Sequence, residues 1–237
     1  MSDWKAKRFW SEASAKPCDG GFTVELDGRP VKTPSKTLLV VPTQDLAQEI
    51  AAEWDAQKGE IDPLSMPFTR SSNAALDKVT HQHAEVADLL AAYGDADLIC
   101  YRADSPDALI ARQAQAWDPL LEWVTQTYRV QMEPVHGVMH RAQPPETLAR
   151  LSQEVHDLDH FALTAFHDLV GMSGSLVIGL AALHNLHPAP ILWGLSRVDE
   201  IWQEEQWGKD EEEQELVARK ENDFLHAKRF YDLSRAP

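Results

Sequence analysis

Ten histidines supply side chains that could bind a metal ion, and the densest group lies in one stretch of the chain. His156 and His160 stand four residues apart with Asp157 and Asp159 between them, and His167 follows. On a helix, two imidazoles at this spacing project from one face and could bind zinc. The same spacing is typical of polar positions on an amphipathic helix, and the sequence contains no HExxH motif. We predict no metal site, and the alternative is a metal-dependent hydrolase that uses His156, His160 and His167.

Other kinds of catalytic chemistry have no complete motif in the sequence. There is no GxxxxGK[ST] phosphate loop, no GxGxxG turn and no GxSxG nucleophile motif. The segment GMSGS, Gly171–Ser175, could present backbone N–H groups at a helix start, but no lysine or arginine lies nearby. Cys100 has apolar neighbours, which is typical of a buried and unreactive thiol. The sequence therefore predicts no catalytic residue and no cofactor.

The strongest chemical signal is a run of carboxylates near the end of the sequence. Residues 199–215, DEIWQEEQWGKDEEEQE, contain nine acidic residues and one lysine, a net charge of −8 in 17 residues. Crowded like charges destabilise a helix, whereas an acidic surface with aromatic side chains suits the docking of a basic protein segment. The other interpretation is a solvated helix face whose tryptophans point into the core. The residues predicted to bind a partner protein are Asp199, Glu200, Trp202, Glu204, Glu205 and Trp207.

Composition excludes several classes of function. The chain has 237 residues, of which 43% are apolar, so it can bury a sizeable core. Its 38 acidic and 22 basic residues give a net charge of −16, which repels phosphate backbones and anionic lipids. We therefore expect no nucleic-acid partner. The longest charge-free apolar run, Leu169–Leu183, has 15 residues, too short for a bilayer and better explained as a buried helical hairpin, so we expect no membrane insertion.

The cysteines and the first residues indicate the compartment. Cys18 and Cys100 can form neither a disulfide framework nor a CxxC metal site. The first ten residues, MSDWKAKRFW, have no apolar signal core and no Arg/Ser-rich transit stretch. We expect an acidic protein of the reducing cytoplasm.

Two regions with different hydrophobic patterns must position these residues. Residues Phe22–Leu26 alternate between apolar and polar and end at Asp27-Gly28, a hairpin-turn signal. Thr43 is a helix-capping residue before a helical pattern over residues 45–57. From Thr69 onward, apolar residues recur at helical spacing. The predicted fold class is α+β, with a small β-rich N-terminal domain with one helix over residues 1–68 and a larger all-helical C-terminal domain over residues 69–237.

Capping residues, prolines and glycines divide the second region into helices. Thr80 is predicted to begin a helix that reaches about Tyr93, and Ser105-Pro106 to open one that reaches about Arg129. Pro119 predicts a kink or a break within that long helix. Further helices are predicted to begin at Pro144-Pro145, to cover residues 160–187 as two apolar helices, to run from Pro188 to Gly208, and to cover about 210–233. Gly171, Gly174 and Gly179 are expected where helices approach closely.

Nine short motifs follow one another along the chain. They are KRFW (Lys7–Trp10), LDGRPVKTP (Leu26–Pro34), EWDAQ (Glu53–Gln57), MPFTR (Met66–Arg70), NAALD (Asn73–Asp77), DLICYRA (Asp97–Ala103), WDPLL (Trp117–Leu121), SGS (Ser173–Ser175) and DEIWQEEQWG (Asp199–Gly208). In this order they resemble the assembly chaperones that hold the alpha subunit of the F-type ATP synthase. The resemblance covers nearly the whole chain, and the first residues are similar to those of bacterial members, which lack a transit peptide.

The resemblance implies a molecular chaperone and not an enzyme. Members bind the unassembled alpha subunit and shield it from aggregation until the beta subunit replaces them, and they require neither nucleotide nor metal. They combine a small β-rich N-terminal part with a larger helical part. The partner expected from the resemblance is the alpha subunit, and we expect the chain to act as a monomer. A scaffold protein without chaperone activity is a second alternative to the metal-dependent hydrolase.

Overall fold

A computed structural model describes residues 7–137 and 139–235 of the chain. The described residues group into two compact units. The first unit comprises residues 7–82, 159–165 and 229–235, and the second comprises residues 83–158 and 166–228. A domain boundary concerns which part of the chain folds by itself. The domain boundary predicted after residue 68 therefore stays a prediction.

A small antiparallel sheet lies in the first unit. Its strands are β1 (Ala13–Cys18), β2 (Gly21–Leu26), β3 (Arg29–Pro30) and β4 (Val40–Val41). Strand β2 pairs with each of the other three, and Leu26 stands opposite Arg29 across the turn Asp27-Gly28. Both turn residues have positive φ, +49° and +78°, as a tight two-residue hairpin turn requires. The hairpin predicted at Asp27-Gly28 is confirmed.

Helix α1 (Gln44–Asp55) covers this sheet. The Thr43 side chain accepts a hydrogen bond from the Leu46 backbone N–H, so the predicted cap is confirmed. Leu46 and Ile50 are fully buried in an apolar cluster that also contains side chains from the strands. The same cluster includes Phe161, Ala165 and Phe230, which the chain supplies far from the sheet in sequence. Helix α2 (Pro67–Ala74) and one π-helical turn, Ala75–Val79, complete this part of the unit.

The remaining helices agree with the predicted α+β class, in which helices dominate after the strands. They are α3 (His83–Ala91), α4 (Asp107–Tyr128), α5 (Pro145–His156), α6 (His160–Ser173), α7 (Leu176–Leu183), α8 (Ala189–Ser196), α9 (Val198–Trp207) and α10 (Glu211–Ser234). A parallel pair of two-residue strands, β5 (Tyr101–Arg102) and β6 (Val135–His136), lies in the second unit, so the region predicted to be all-helical also contains a small sheet. None of the helices in the described residues is long and apolar enough to cross a membrane.

Two details of the helix prediction were wrong, and a third was wrong in part. Thr80 does not begin a helix, because its N–H closes the π-helical turn on the Ala75 carbonyl and α3 starts at His83. Of the kink or break predicted at Pro119, the break is absent, because α4 is continuous around this residue on an exposed face, while the kink stays a prediction. The helix expected from Pro188 to Gly208 is two helices, since Arg197 departs from helical geometry between α8 and α9.

The three glycines expected at close helix approaches have different surroundings. A Cβ on Gly179 would lie 2.7 Å from Val170 Cγ2 and 2.8 Å from Phe166 Cε2, so the prediction is confirmed there. Gly174 directly follows α6 with a φ of +70°, a backbone conformation that favours glycine. The backbone, rather than a close helix approach, therefore explains this glycine. Gly171 is exposed on α6 with no atom within 4 Å of its Cβ position, so the prediction was wrong for this residue.

Candidate protein-docking surface

The six residues predicted to bind a partner all lie on α9, and most of their carboxylates have partners within the chain. Arg197, which is buried at the start of α9, donates hydrogen bonds to Glu200 (2.6 Å) and to Glu204 (2.8 Å). The bond from Arg197 is the main reason why the pKa of Glu204 lies below its ordinary value. Both carboxylates therefore belong to one ion-pair network at the beginning of the helix.

Glu204 also joins α9 to the beginning of α10. Its carboxylate accepts a hydrogen bond from the Gln214 side-chain amide (2.9 Å) and lies 3.6 Å from the Lys209 ammonium nitrogen. Only 11% of the Glu204 side chain is exposed. The residue is therefore a junction between α9 and α10, and substituting it would disturb the packing of this part of the unit.

Glu205 and Trp202 contact helix α4 through one arginine. Arg112 donates two hydrogen bonds to the Glu205 carboxylate, at 2.6 and 2.9 Å, and this pairing lowers the pKa of Glu205. The guanidinium carbon of Arg112 also lies 5.9 Å from the centroid of the half-buried Trp202 ring, a cation–π geometry. Arg112 therefore holds the middle of α9 on α4.

Asp199 supports the loop before α4. It accepts a hydrogen bond from the Gln113 side-chain amide at 2.6 Å, and Gln113 in turn accepts one from the Ala103 backbone N–H at 2.8 Å. Gln113, at the centre of this chain of hydrogen bonds, is 1% exposed, so its side-chain amide is shielded from water. Asp199 satisfies a buried amide there.

Trp207 is 79% exposed, whereas the two other exposed residues of the six, Glu200 and Glu205, are each paired with an arginine. It ends α9, and the next residue, Gly208, turns the chain with a φ of +91°. After the turn, exposed acidic residues open α10, and the Asp210 side chain caps its first turn by accepting from the Glu213 N–H (3.1 Å). The surface that remains open to a partner is thus formed by the α9–α10 turn.

The arginines that pair with α9 were missed by the sequence analysis. Arg112 precedes Glu205 by 93 residues, and no local spacing signals a contact at that separation. Arg197 lies three residues before Glu200, a spacing that suits an ion pair on a helix surface, and this signal could have identified it.

The histidines proposed for a metal site have other partners. His156 Nε2 lies 2.8 Å from Asp88 and His167 Nδ1 lies 2.9 Å from Asp168, which raises the pKa of His167. The His160 ring packs on Phe161, with ring centroids 4.7 Å apart. Among the described residues, no three His, Cys, Asp or Glu side chains are grouped as a metal ion requires. The geometry gives no support to the metal-dependent hydrolase.

Comparison with known proteins identifies the family. The family described as ATP12 chaperone protein matches residues 7–125. The chain belongs to the ATP12 chaperone family. A crystal structure of Atp12 from Paracoccus denitrificans is 45% identical in sequence, covers 98% of this chain and 100% of its own, and superposes with a TM-score of 0.95.

More distant relatives agree with this assignment. A solved structure from Agrobacterium tumefaciens is 37% identical, covers 97% of this chain and 86% of its own, and has a TM-score of 0.91. The mitochondrial protein atp12 of Schizosaccharomyces pombe is 26% identical over 89% of this chain and 76% of its own length. The resemblance to the ATP synthase assembly chaperones is confirmed. This membership also confirms that the protein is a chaperone and not an enzyme.

Proposed function

We propose that this ATP synthase assembly chaperone binds the unassembled alpha subunit of the F-type enzyme and releases it when the beta subunit assembles. The observation that carries the proposal is the whole-length match to Atp12 of Paracoccus denitrificans, with 98% of this chain covered at 45% identity. An assembly subunit exposes an apolar interface before its partner arrives, and such a surface aggregates unless it is covered. A chaperone of this kind needs a docking surface rather than a catalytic centre.

The proposed docking surface is the acidic region on α9 and the turn that follows it. The residues of α9 that the sequence predicts in this region, as contacts or as their support, are Asp199, Glu200, Trp202, Glu204, Glu205 and Trp207. Carboxylates on a surface accelerate the approach of a basic partner, and a tryptophan that becomes buried supplies binding energy. The ion pairs with Arg112 and Arg197 support this proposal because they hold the surface in one conformation before a partner arrives.

The proposal includes a monomer that works in the cytoplasm without a nucleotide, metal or nucleic-acid partner. Cys18 and Cys100 are both free thiols, as suits a reducing compartment. Charge also favours a protein partner, because a net charge of −16 repels nucleic acids and attracts basic protein surfaces.

The test is an aggregation assay with purified alpha subunit. Light scattering of the alpha subunit should be suppressed by an equimolar amount of the chaperone, and addition of the beta subunit should release the chaperone as alpha–beta complexes form. Purified beta subunit alone serves as the control client and should gain no protection. If the alpha subunit aggregates equally fast with and without the chaperone, the proposed function is wrong.

A further inference from the structure

Trp207 is an exposed tryptophan at the end of a helix. Its side chain is 79% exposed at the end of α9, although tryptophan is largely buried in most folded proteins. The Gly208 N–H donates a hydrogen bond to the Glu204 carbonyl at 2.9 Å, which closes the last turn of α9 next to Trp207. A tryptophan side chain has only two torsion angles, so it loses little conformational entropy when a partner covers it.

Four exposed carboxylates follow the same turn, in the first two turns of α10. Glu211, Glu212, Glu213 and Glu215 are exposed, and none has an ion-pair partner within residues 7–137 and 139–235. Their position at the beginning of a helix is favourable, because the helix dipole stabilises negative charge there. The carboxylates of α9, in contrast, are paired with arginine or glutamine side chains.

The paired carboxylates of α9 position the free ones. Glu204 bonds to Gln214 of α10 at 2.9 Å and lies 3.6 Å from Lys209 in the turn. Arg197 donates to the same Glu204 oxygen as Gln214, Oε1, at 2.8 Å. This network therefore places the acidic turns of α10 next to the end of α9, where Trp207 stands.

The geometry points to two different roles. Trp207 and the first two turns of α10 contact the client, and the acidic residues of α9 only support that surface. This inference rests on the proposed function, and its occupant is a lysine- or arginine-bearing segment of the alpha subunit with an apolar recess for the indole. Charge complementarity selects this occupant, since four carboxylates without an ion-pair partner among the described residues follow the exposed indole of Trp207 across the α9–α10 turn. The contact residues are therefore Trp207, Glu211, Glu212, Glu213 and Glu215.

Two variants with matched controls test the assignment by titration against purified alpha subunit. W207A is paired with L64A, because Leu64 is equally exposed, at 79%, on the first unit. The triple variant E211Q/E212Q/E213Q is paired with D45N/D107N/E146Q, which removes three first-turn carboxylates from α1, α4 and α5. Each test variant should melt at the same temperature as its matched control, since every substituted side chain lies on the surface and both triple variants remove three first-turn carboxylates.

The expected result is a loss of affinity confined to the two test variants. W207A should bind at least about tenfold more weakly, while L64A binds like wild type. The triple glutamine variant should associate about tenfold more slowly at about 50 mM salt and lose most of the wild-type salt dependence, unlike its control. Equal effects of test and control variants, or wild-type binding by both test variants, would overturn the assignment while leaving the proposed function intact. Failure of the wild-type chaperone to bind the alpha subunit would instead reject the proposed function.

Discussion

Two glycines of neighbouring helices provide a comparison at the scale of single residues. Gly179→Ala should lower the free energy of unfolding by about 1–3 kcal/mol, because the new methyl would overlap Val170 and Phe166 in the core. Gly171→Ala should raise it by about 0.4–1 kcal/mol, since its Cβ position is open and alanine restricts the unfolded chain. Urea unfolding of both variants measures the difference. Equal effects of the two substitutions would contradict the packing described here.

Asp97 is a second residue whose surroundings lead to a measurable effect. The side chain is fully buried and accepts hydrogen bonds from the Ile99 and Val177 backbone N–H groups. Burial is the main cause that raises the pKa of Asp97 from 3.8 to about 6. The folded state therefore holds a proton on Asp97 more tightly than the unfolded state does.

The sign of the resulting pH dependence follows from that difference. Stability from the protonated Asp97 is fully present below the unfolded pKa and is lost as pH rises through about 6, by up to about 3 kcal/mol. Asp97→Asn removes this titration, so the stability of wild type relative to the variant should fall between about pH 4 and about pH 7. Urea unfolding across this range measures it. A difference that stays constant with pH would show that Asp97 remains ionised throughout.

At the scale of elements, α9 depends on Arg197. Arg197→Ala should lower the free energy of unfolding by about 1–3 kcal/mol, because the nearly buried Glu204 carboxylate would lose its main donor. Arg219→Ala on the exposed face of α10 is the control and should change stability by less than about 0.5 kcal/mol. Thermal and urea unfolding measure both variants. Equal stabilities would mean that Glu204 is well solvated without the arginine.

Elements with local signals could be predicted from the sequence, and contacts between distant elements could not. The hairpin at Asp27-Gly28 and the Thr43 cap were predictable because a few adjacent residues determine them. Thr80 misled the prediction because a residue type favoured at helix starts here ends a π-helical turn. The contact between Arg112 and Glu205 depends on how α4 packs against α9, which no short window of sequence contains. For the same reason, the sequence located the candidate site but could not distinguish its paired carboxylates from those without an ion-pair partner.

At the scale of the whole molecule, the first unit is completed by residues from the end of the sequence. Phe161 and Phe230 belong to the apolar cluster formed by α1 and the sheet, and the Thr43 hydroxyl donates to the Leu233 carbonyl. A fragment of residues 1–82 lacks these side chains, so it should show no cooperative unfolding transition. In the full chain, Phe230→Ala should cost about 3–5 kcal/mol of stability.

Circular dichroism during thermal unfolding measures the fragment, with the full chain as reference. A sharp transition of the fragment alone would show that its strands and α1 suffice as a core, and would favour a separate N-terminal domain. The outcome bears directly on the predicted boundary after residue 68, since a domain that ends there would need no residue from later in the chain.

The exposed indole at the end of α9 also makes the protein optically informative. Among the tryptophans in residues 7–137 and 139–235, only Trp207 is exposed, so external quenchers reach its fluorescence first. The neighbouring carboxylates repel iodide and concentrate caesium ions, so the cationic quencher should act more strongly than the anionic one at low ionic strength. A client that covers this turn would abolish the difference between the two ions. Ordinary fluorescence of the unlabelled chain with the substitution W4F, which lies outside the described residues, can therefore report whether the α9–α10 turn is open or occupied.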